Sequence, residues 1–296
     1  MTLRVAVTGA NGQLGTDVAL AFTENGDEVR SLTHSEIEIA SLESTRRVLE
    51  EWPPDLIVNT AAMHNVENCE IEATRAYTVN ALGARNLALA TRDLGAVLVH
   101  VSTDYVFDGS KARPYEETDA PLPLNVYGNS KLSGEYFVRC ILDRHFVLRT
   151  SALYGKAPCR AKGGCNFVDL MLKLARDRGQ VRVVNGEHVS PTSTQELAAQ
   201  IVILSRSDGY GLYHATAEGN CSWYEFAREI FSISKTDVSL SVAEPGAFPA
   251  KVPRPSYSVL ENGALKRRGL NVFRPWQEGL REYLRAAPQP GNADAN

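Results

Sequence analysis

The chain has 296 residues, a formal net charge of −4 at pH 7, 44% hydrophobic residues and 22% charged residues. This composition is typical of a globular protein, and the acidic balance without a dense lysine or arginine run argues against nucleic acid as a partner. No charged segment followed by an apolar stretch opens the sequence, and no window approaches the roughly 18 apolar residues of a membrane span. We therefore expect a cytoplasmic protein with no membrane partner.

The first half of the chain alternates short apolar strands with helical segments. Strands are predicted at 3–8, 28–33, 55–60, 96–101 and 146–150, and helices at 16–25, 42–52, 70–94 and 127–142. Strands that are apolar on both faces are typical of a parallel sheet that helices cover on both sides. The pattern therefore predicts an α/β protein with a Rossmann-like, doubly wound parallel sheet.

Beyond residue 151 this alternation changes, and a second unit is expected. Helices are predicted at 166–178, 195–205 and 222–233, and strands at 181–184 and 212–215, followed by a proline-rich stretch and the segments 262–269 and 275–284. We assign residues 1–152 plus about 190–217 to a dinucleotide-binding domain, and about 153–189 plus 218–287 to a smaller C-terminal α/β substrate-binding lid over the carboxyl edge of the sheet. Residues 288–296 are predicted to be a disordered tail.

A glycine-rich loop follows the first predicted strand and opens the first predicted helix. Glycine permits a tight turn and a close approach of the backbone to a ligand, and a helix N-terminus favours a pyrophosphate. This context predicts a dinucleotide cofactor. The residues of the predicted cofactor-binding loop are Gly9, Asn11, Gly12, Gln13, Leu14 and Gly15.

The second predicted strand bears on the choice of cofactor. A site for NAD usually has an acidic residue at the end of this strand, whereas residues 29–34 contain none. Arg30 and His34 are the polar candidates to face a 2′-phosphate, which favours NADPH and leaves NADH as the second choice. Ala61 and Ala62 follow the third strand and are small enough to let an adenosine ribose lie close.

Two further segments predict proton transfer. Tyr127 and Lys131 are four residues apart on a predicted helix and therefore share a face. An ammonium beside a phenol lowers the phenol pKa from about 10, which suits a general acid or base near neutral pH. Ser102 and Thr103 end a predicted buried strand, where a hydroxyl can bond a substrate carbonyl.

Together these motifs resemble the extended short-chain dehydrogenases/reductases. Within that superfamily, residues 102–109 and 124–135 are similar to the dTDP-4-dehydrorhamnose reductases, and the similarity continues through most of the chain. The resemblance implies reduction of the 4-keto group of dTDP-4-dehydro-6-deoxy-L-mannose to dTDP-L-rhamnose with NAD(P)H. The substrate partner implied is therefore a nucleotide sugar, and a homodimer is left open.

The resemblance also implies roles for individual residues. Tyr127 would be the general acid, Lys131 would lower its pKa and bind the nicotinamide ribose, and Thr103 would bond the keto oxygen. Ser102 would support the nicotinamide side, and Glu38 would contact the adenine. The remaining implied residues are Asn80, which would anchor active-site backbone, and the substrate-binding residues Asp104, Ala152, Asn166 and Arg254.

Two departures from the family pattern leave the identity of the sugar open. The family usually has tryptophan where this chain has Ala152, and that tryptophan packs on the sugar nucleotide. The segment 65–70 also differs from the family's Ala-Val-Asp-Lys-Ala-Glu. Some members bind magnesium through carboxylates, but only Asp17 matches such a position, so no required metal is predicted.

Two other functions are weighed, together with the cysteines. The related dehydratases carry Thr-Asp-Glu, whereas here Tyr105 takes the place of the glutamate, which argues against a dehydratase or epimerase. The intact catalytic set argues against a regulatory subunit resembling the β subunit of methionine adenosyltransferase. Cys159 and Cys165 are close enough in sequence for a disulfide or metal clip, although free thiols are favoured.

Overall fold

The computed structural model describes residues 2–159, 163–244, 247–248 and 251–286, so the predicted tail at 288–296 lies outside the described residues. The strands are β1 Arg4–Thr8, β2 Glu28–Leu32, β3 Leu56–Asn59, β4 Val97–Thr103, β5 His145–Thr150, β6 Leu153–Tyr154, β7 Gln180–Val183, β8 His188–Val189, β9 Thr192–Ser193, β10 Gly211–His214, β11 Cys221–Ser222 and β12 Ser239–Val242. The helices are α1 Gln13–Glu24, α2 Leu42–Glu51, α3 Val66–Ile71, α4 Ala73–Tyr77, α5 Gly83–Leu94, α6 Val126–Ile141, α7 Phe167–Arg178, α8 Thr194–Ser205, α9 Trp223–Ser234, α10 Gly263–Arg267 and α11 Trp276–Ala286.

A six-stranded parallel sheet lies at the centre, in the order β10-β5-β4-β3-β1-β2. The predicted Rossmann-like α/β fold is therefore confirmed. The strand β10, at one end of this order, comes from the second half of the chain. It pairs with β5, where Gly211 lies opposite Phe146. All six strands run in the same direction, so their carboxyl ends meet at one edge, where open α/β sheets bind ligands.

Both faces of the sheet are buried. Val5 and Val7 belong to one apolar core with residues of α1 and α8, whereas Ala6 belongs to a second core with residues of α2, α5 and α6. This alternation explains why the strands read as continuous apolar runs, because each strand buries successive side chains on opposite faces. Within the described part of the chain, no helix is long and apolar enough to cross a membrane.

A third apolar core belongs to the C-terminal segments. Phe226 of α9, Trp276 of α11 and Val168 of α7 are buried together there. Helix α9 begins with a reciprocal cap, in which the Ser222 hydroxyl accepts from the backbone of Glu225 and the Glu225 carboxylate accepts from the backbone of Ser222. The helix predicted at 222–233 therefore begins at a capped N-terminus.

The single long helix predicted at 70–94 is wrong. The structure has α3, α4, a π-helical turn at Thr78–Leu82 and then α5. Glu72 interrupts the helix with φ −109° and ψ 50°. Gly83 then lies against Ile39, because a Cβ at this glycine would be 2.9 Å from the Ile39 Cδ1 atom. Apolar periodicity spans all four pieces, so the sequence pattern alone does not reveal the breaks.

Candidate active site

The glycine-rich loop joins β1 to α1 at the carboxyl edge of the sheet. Gly9 has φ +71°, a left-handed conformation that glycine adopts without strain, and its carbonyl accepts from the Gly12 backbone at 3.0 Å. A Cβ at Gly15 would lie 2.3 Å from that same carbonyl oxygen. Glycine at these positions is therefore required by the turn and by the close packing of α1 on it.

The N-terminus of α1 suits an anionic ligand. Gly12 is its N-cap residue, no side chain caps it, and no acidic residue lies in its first turn. The first N–H groups of a helix lack intrahelical partners, and together with the helix dipole they favour a pyrophosphate. Leu14 packs its side chain into the core, so only its backbone is available to such a ligand.

Gln13 and Asn11 complete this loop. The Gln13 side chain donates to the carbonyl of Gly155 at 3.1 Å and so connects the first turn of α1 to the segment that leads into the lid. Asn11 is half-buried. The loop therefore fits a dinucleotide pyrophosphate through its backbone, while one of its side chains contacts the lid.

Arg30 lies against helix α2, and its contact with a 2′-phosphate stays a prediction. Its guanidinium donates to the Val48 carbonyl at 3.3 Å and lies 3.8 Å from the Glu51 carboxylate. Helix α2 returns antiparallel to β2, so its last residue, Glu51, lies away from the carboxyl edge. The reason is the alternation of side chains along β2, which turns Arg30 towards α2.

The polar residues that follow β2 lie on the side of the cleft where the adenosine of the cofactor is expected. Glu38 accepts from the Ala40 backbone at 2.9 Å, and its other oxygen lies 3.5 Å from His34 Nδ1. Ala61 and Ala62 are half-buried after β3, and the Ala61 backbone donates to Asn59 at 3.1 Å. These residues form the side of the cleft where an adenosine is expected.

The structure brings the three predicted catalytic residues together. Thr103 ends β4 and lies close enough to Tyr127, in the first turn of α6, to influence the pKa of its phenol. Lys131, one turn further along α6, donates to the Val101 carbonyl at 2.6 Å. The same part of the cleft is therefore faced by two groups of β4, the Thr103 hydroxyl and the Val101 carbonyl, and by two side chains of α6, Tyr127 and Lys131.

Two glycines let α6 lie this close to the sheet. A Cβ at Gly128 would be 2.1 Å from the Tyr105 carbonyl oxygen, and a Cβ at Gly134 would be 2.4 Å from the Asn80 carbonyl oxygen. At its start, α6 is capped by Asn125, which accepts from the Gly128 backbone at 2.9 Å and donates to the Pro253 carbonyl at 2.9 Å. The helix thus lies close to the backbone at Tyr105 and Asn80 and is hydrogen-bonded to the C-terminal segment at Pro253.

Burial sets the protonation of the catalytic pair. Desolvation raises the pKa of Tyr127 above its ordinary value, although the interaction with Thr103 acts in the opposite direction. Burial also lowers the pKa of Lys131 to about 8, against the attraction of Glu135. Desolvation of the phenolate therefore sets the direction of the Tyr127 pKa, which is opposite to the lowering expected from the sequence.

Ser102 is part of a buried ionic cluster below α6. Its hydroxyl donates to Glu135 at 2.5 Å, and Glu135 also accepts from Arg149 at 2.7 Å and 3.0 Å. Glu135 is not among the residues predicted from the sequence. The signal was present, because Glu135 lies one turn after Lys131 and two turns after Tyr127 on the same helix.

Asp104 is enclosed rather than open to the cleft. It is 4% exposed, and one carboxylate oxygen accepts from Ser151 at 2.8 Å and from Ser258 at 2.6 Å. The other oxygen accepts from Thr103 at 3.1 Å. This placement favours a role in positioning Thr103 over direct contact with a sugar.

The other residues expected to bind substrate differ in their exposure and in their hydrogen-bond partners. Asn166 is buried as the N-cap of α7, and its amide donates to Gly155 and Tyr283, which leaves no free group for a ligand. Arg254 is exposed and lies 3.7 Å from Glu67. Ala152 is half-buried and has φ +45°.

Asn80 lies in the π-helical turn and holds the loop after β3. It donates to the Met63 carbonyl at 2.9 Å, accepts from the Met63 backbone at 2.8 Å and donates to Ser130 at 3.0 Å. This geometry is that of a backbone anchor. A π-helical turn at such a position is common near functional sites.

Metal and thiol chemistry find little support in the described ranges. No group of three or more histidine, cysteine, aspartate or glutamate side chains is placed there to hold a metal ion. Asp17 is buried and accepts from Thr194 at 2.5 Å. Cys159 and Cys165 are not joined by a disulfide.

Comparison with known proteins agrees with this geometry. Residues 3–288 match the family model described as the RmlD substrate binding domain. The chain is 41% identical to the spore coat polysaccharide biosynthesis protein SpsK of Bacillus subtilis, over 95% of this chain and 96% of that protein. It is 37% identical to a dTDP-4-keto-6-deoxy-D-glucose reductase of Streptomyces niveus, over 95% of this chain and 96% of that protein.

A solved structure extends the comparison to three dimensions. The dTDP-4-dehydrorhamnose reductase of Bacillus anthracis, determined in complex with NADP, superimposes with a TM-score of 0.91 at 37% identity, over 96% of this chain and 99% of that one. The family model and these full-length similarities cover both the sheet and the lid. The chain therefore belongs to the dTDP-4-dehydrorhamnose reductase family.

Proposed function

We propose that this protein is an NAD(P)H-dependent oxidoreductase that reduces the 4-keto group of a nucleotide-linked 4-keto-6-deoxy sugar. The substrate we favour is dTDP-4-dehydro-6-deoxy-L-mannose, with dTDP-L-rhamnose as the product and NADPH as the preferred cofactor. The observation that carries this proposal is the meeting of Thr103, Tyr127 and Lys131 at the carboxyl edge of the sheet, beside the glycine-rich loop.

The residues of the site divide the reaction between them. The reduced nicotinamide supplies a hydride to C4 of the sugar. Tyr127 donates to the keto oxygen and gives its proton to the alkoxide that develops there. The Thr103 hydroxyl turns from Asp104 to donate its one hydrogen to the same oxygen. Lys131 binds the nicotinamide ribose and favours the phenolate that Tyr127 becomes. The backbone N–H groups at the start of α1 hold the pyrophosphate.

The protonation state of Tyr127 suits reduction. A general acid must begin the reaction with its proton in place, and burial keeps the pKa of Tyr127 above its ordinary value. The positive charge of Lys131 then lowers the cost of the phenolate as the proton leaves. This sequence of events needs no second acid in the cleft.

The residue that follows Asp104 argues against a dehydratase, which eliminates water from the sugar. Tyr105 occupies the place after Asp104 and packs edge-on against Tyr127 with ring centroids 5.7 Å apart. Burial raises the pKa of Tyr105, so this phenol stays neutral at physiological pH. A carboxylate that could remove a proton from the sugar ring is therefore missing from this position.

The choice of sugar rests on the family, and relatives with comparable identity carry names for different 4-keto sugars. We propose the L-mannose derivative because the motif set of this chain resembles that of the dTDP-4-dehydrorhamnose reductases. We also propose a cytoplasmic location, and the homodimer that the sequence leaves open remains to be measured.

The test is NADPH oxidation followed at 340 nm with enzymatically generated dTDP-4-dehydro-6-deoxy-L-mannose, alongside dTDP-4-keto-6-deoxy-D-glucose and with NADH in parallel. Turnover with the first sugar and identification of dTDP-L-rhamnose as the product would support the proposal. Turnover only with the second sugar would reassign the substrate. Tight NADPH binding without turnover of either sugar would favour the regulatory alternative.

A further inference from the structure

A buried ionic cluster lies directly below the catalytic residues. Glu135 of α6 is 0% exposed, and Arg149 of β5 is 2% exposed. Glu135 accepts from both the Nε and the Nη2 of Arg149, and it also accepts from the Ser102 hydroxyl. Ser102 and Arg149 face one another across β4 and β5, immediately before the paired strand ends Thr103 and Thr150.

Such a cluster is not explained by stability. Removing two charges from water is costly, and a buried ion pair is often no more stabilising than apolar residues of the same volume. Here the cost is increased, because the Nη1 of Arg149 has no hydrogen-bond partner. The position of the carboxylate on the catalytic helix points to a function instead.

Lys131 is one turn from Glu135 on the same face of α6 and is itself 3% exposed. Its ammonium donates to the Val101 carbonyl, one residue before Ser102. Lys131 interacts electrostatically with His100 of β4 and with Glu135 of α6. Of the other charged or titratable groups near the catalytic residues, Arg149 of β5 pairs with Glu135, and Asp104 after β4 acts on Tyr127.

Most of these groups do not favour a cation at Lys131. His100 stays neutral, because burial and Lys131 hold its pKa well below the ordinary value. The buried carboxylate of Asp104 accepts hydrogen bonds from the hydroxyl groups of Ser151 and Ser258. The carboxylate of Glu135 is therefore the anion placed to compensate the ammonium.

We propose that Glu135 is a positioning residue of the reduction, which, held by Ser102 and Arg149, keeps Lys131 in its charged form where the nicotinamide ribose and Tyr127 require it. This proposal rests on the proposed function, since it concerns the same site. This role explains why the charges of Glu135 and Arg149 are buried beneath the end of β4. Arg149 compensates Glu135, and Glu135 in turn compensates Lys131.

The electrostatics of Lys131 agree with this geometry. Burial lowers its pKa to about 8, and Glu135 acts in the opposite direction. Without that carboxylate the ammonium would lose its proton closer to neutral pH. The enzyme would then lose a hydrogen-bond donor to the ribose and the charge that favours the phenolate.

The experiment measures the NADPH dissociation constant of the full chain by nicotinamide fluorescence between about pH 6 and about pH 10. In the unmodified protein, binding should weaken as the pH rises through the deprotonation of Lys131. Glu135→Gln keeps the size and hydrogen-bonding capacity of the side chain but removes its charge. We expect the midpoint of the alkaline loss of binding to move down by about one pH unit.

Two further variants separate this role from a structural one. Glu196→Gln removes the charge of another carboxylate that pairs with an arginine, Arg274, at 2.8 Å, and it should leave the midpoint unchanged. Should Glu135→Gln fail to fold, Glu135→Gln combined with Arg149→Gln removes both charges of the pair. We expect the midpoint to fall in this double variant too, because Glu135 is the member of the pair that acts on Lys131.

The outcomes are distinct. A lower midpoint in Glu135→Gln, with Glu196→Gln unchanged, would establish the proposal. An unchanged midpoint in a folded Glu135 variant, with only a loss of thermal stability, would overturn it and leave Glu135 a structural residue. A wild-type protein that binds no NADPH at any pH would instead refute the proposed function itself.

Discussion

Ser258 of the lid donates a hydrogen bond of 2.6 Å to the buried carboxylate of Asp104, across 154 residues of chain. Asp104 follows Thr103 and accepts from its hydroxyl through the other oxygen. The lid is thereby connected to the residue expected to bind the keto oxygen. Correct placement of the lid and correct orientation of Thr103 are consequently parts of one hydrogen-bond network.

Ser258→Ala tests this network. We expect a loss of about 1.5–3 kcal/mol in the free energy of unfolding, since the lost bond has a charged acceptor, together with a lower kcat and little change in NADPH affinity. Urea unfolding and steady-state kinetics measure these quantities. Ser256→Ala is the matched control, because its hydroxyl makes only a 3.4 Å contact with Gly109. Equal effects in the two variants would show that the network has no special role.

Tyr127→Phe tests the general acid. The variant should fold and bind NADPH, because the phenol is buried beside Thr103 and only its hydroxyl is removed. Turnover should fall by roughly 10²–10⁴, the usual contribution of a general acid. Tyr136→Phe on the exposed side of the same helix is the control. Near-normal turnover in Tyr127→Phe would mean that another group supplies the proton.

Much of the fold is predictable because it depends on local patterns. The parallel strands, the glycine-rich loop and the capped helix α9 each have a signal within a few neighbouring residues. The meeting of Thr103, Tyr127 and Lys131 could be predicted as well, since a strand end and a helix face at the carboxyl edge are determined by topology.

The errors concern orientation and long-range contacts. The direction of Arg30 depends on which face of β2 is covered by α2, and no local pattern reports this. Asn166 looked like a ligand residue, but its amide is used by a helix cap and by Tyr283, a contact across 117 residues of chain. The contacts of Asp104 with Ser258 and of Glu135 with Arg149 likewise join distant segments, so no spacing in the sequence reports them.

Lys131→Met should separate stability from function. The side chain is buried and its pKa is lowered to about 8, below the 10.5 of an ordinary lysine. Below pH 8 the folded protein must therefore hold a desolvated charge, whereas Glu135 keeps Arg149 and Ser102 as partners when that charge is removed. We expect a gain of roughly 1–2 kcal/mol in the free energy of unfolding and a loss of turnover.

The pH dependence of that gain has a definite sign. Below pH 8, Lys131 is charged in both the folded and the unfolded state, so the full benefit of its removal is present. The benefit should shrink as the pH rises from about 8 towards 10.5, because the folded protein then no longer carries the charge. Denaturant unfolding at pH 7 and pH 10 measures the difference. A gain that is constant over this range would contradict the assigned desolvation cost.

Ala152→Gly tests the strain after β5. Ala152 has φ +45°, a left-handed conformation that costs a residue with a side chain about 1–2 kcal/mol, of which glycine's greater freedom when unfolded offsets part. We expect a net gain of about 0.5–1 kcal/mol in thermal unfolding experiments. Ala21→Gly within α1 is the control and should lose about 1 kcal/mol, because its backbone is helical. Destabilisation by Ala152→Gly would instead indicate that its methyl group is needed for packing.

Gln13→Leu tests the contact between the cofactor loop and the lid. The Gln13 amide donates to the Gly155 carbonyl at 3.1 Å, and the same carbonyl accepts from Asn166, the cap of α7, at 3.0 Å. Loss of the bond from Gln13 frees the segment that leads into the lid, so the KM for the sugar nucleotide should rise about three- to tenfold.

The affinity for NADPH alone should change less in Gln13→Leu, because the backbone of α1 still holds the pyrophosphate. Steady-state kinetics and fluorescence titration measure the two effects separately. Gln200→Leu is the matched control, since Gln200 also bonds a distant main chain, at Leu270 and Val272, and should lower stability without raising this KM. A rise in the NADPH dissociation constant as large as the rise in KM would place the function of Gln13 in cofactor binding alone.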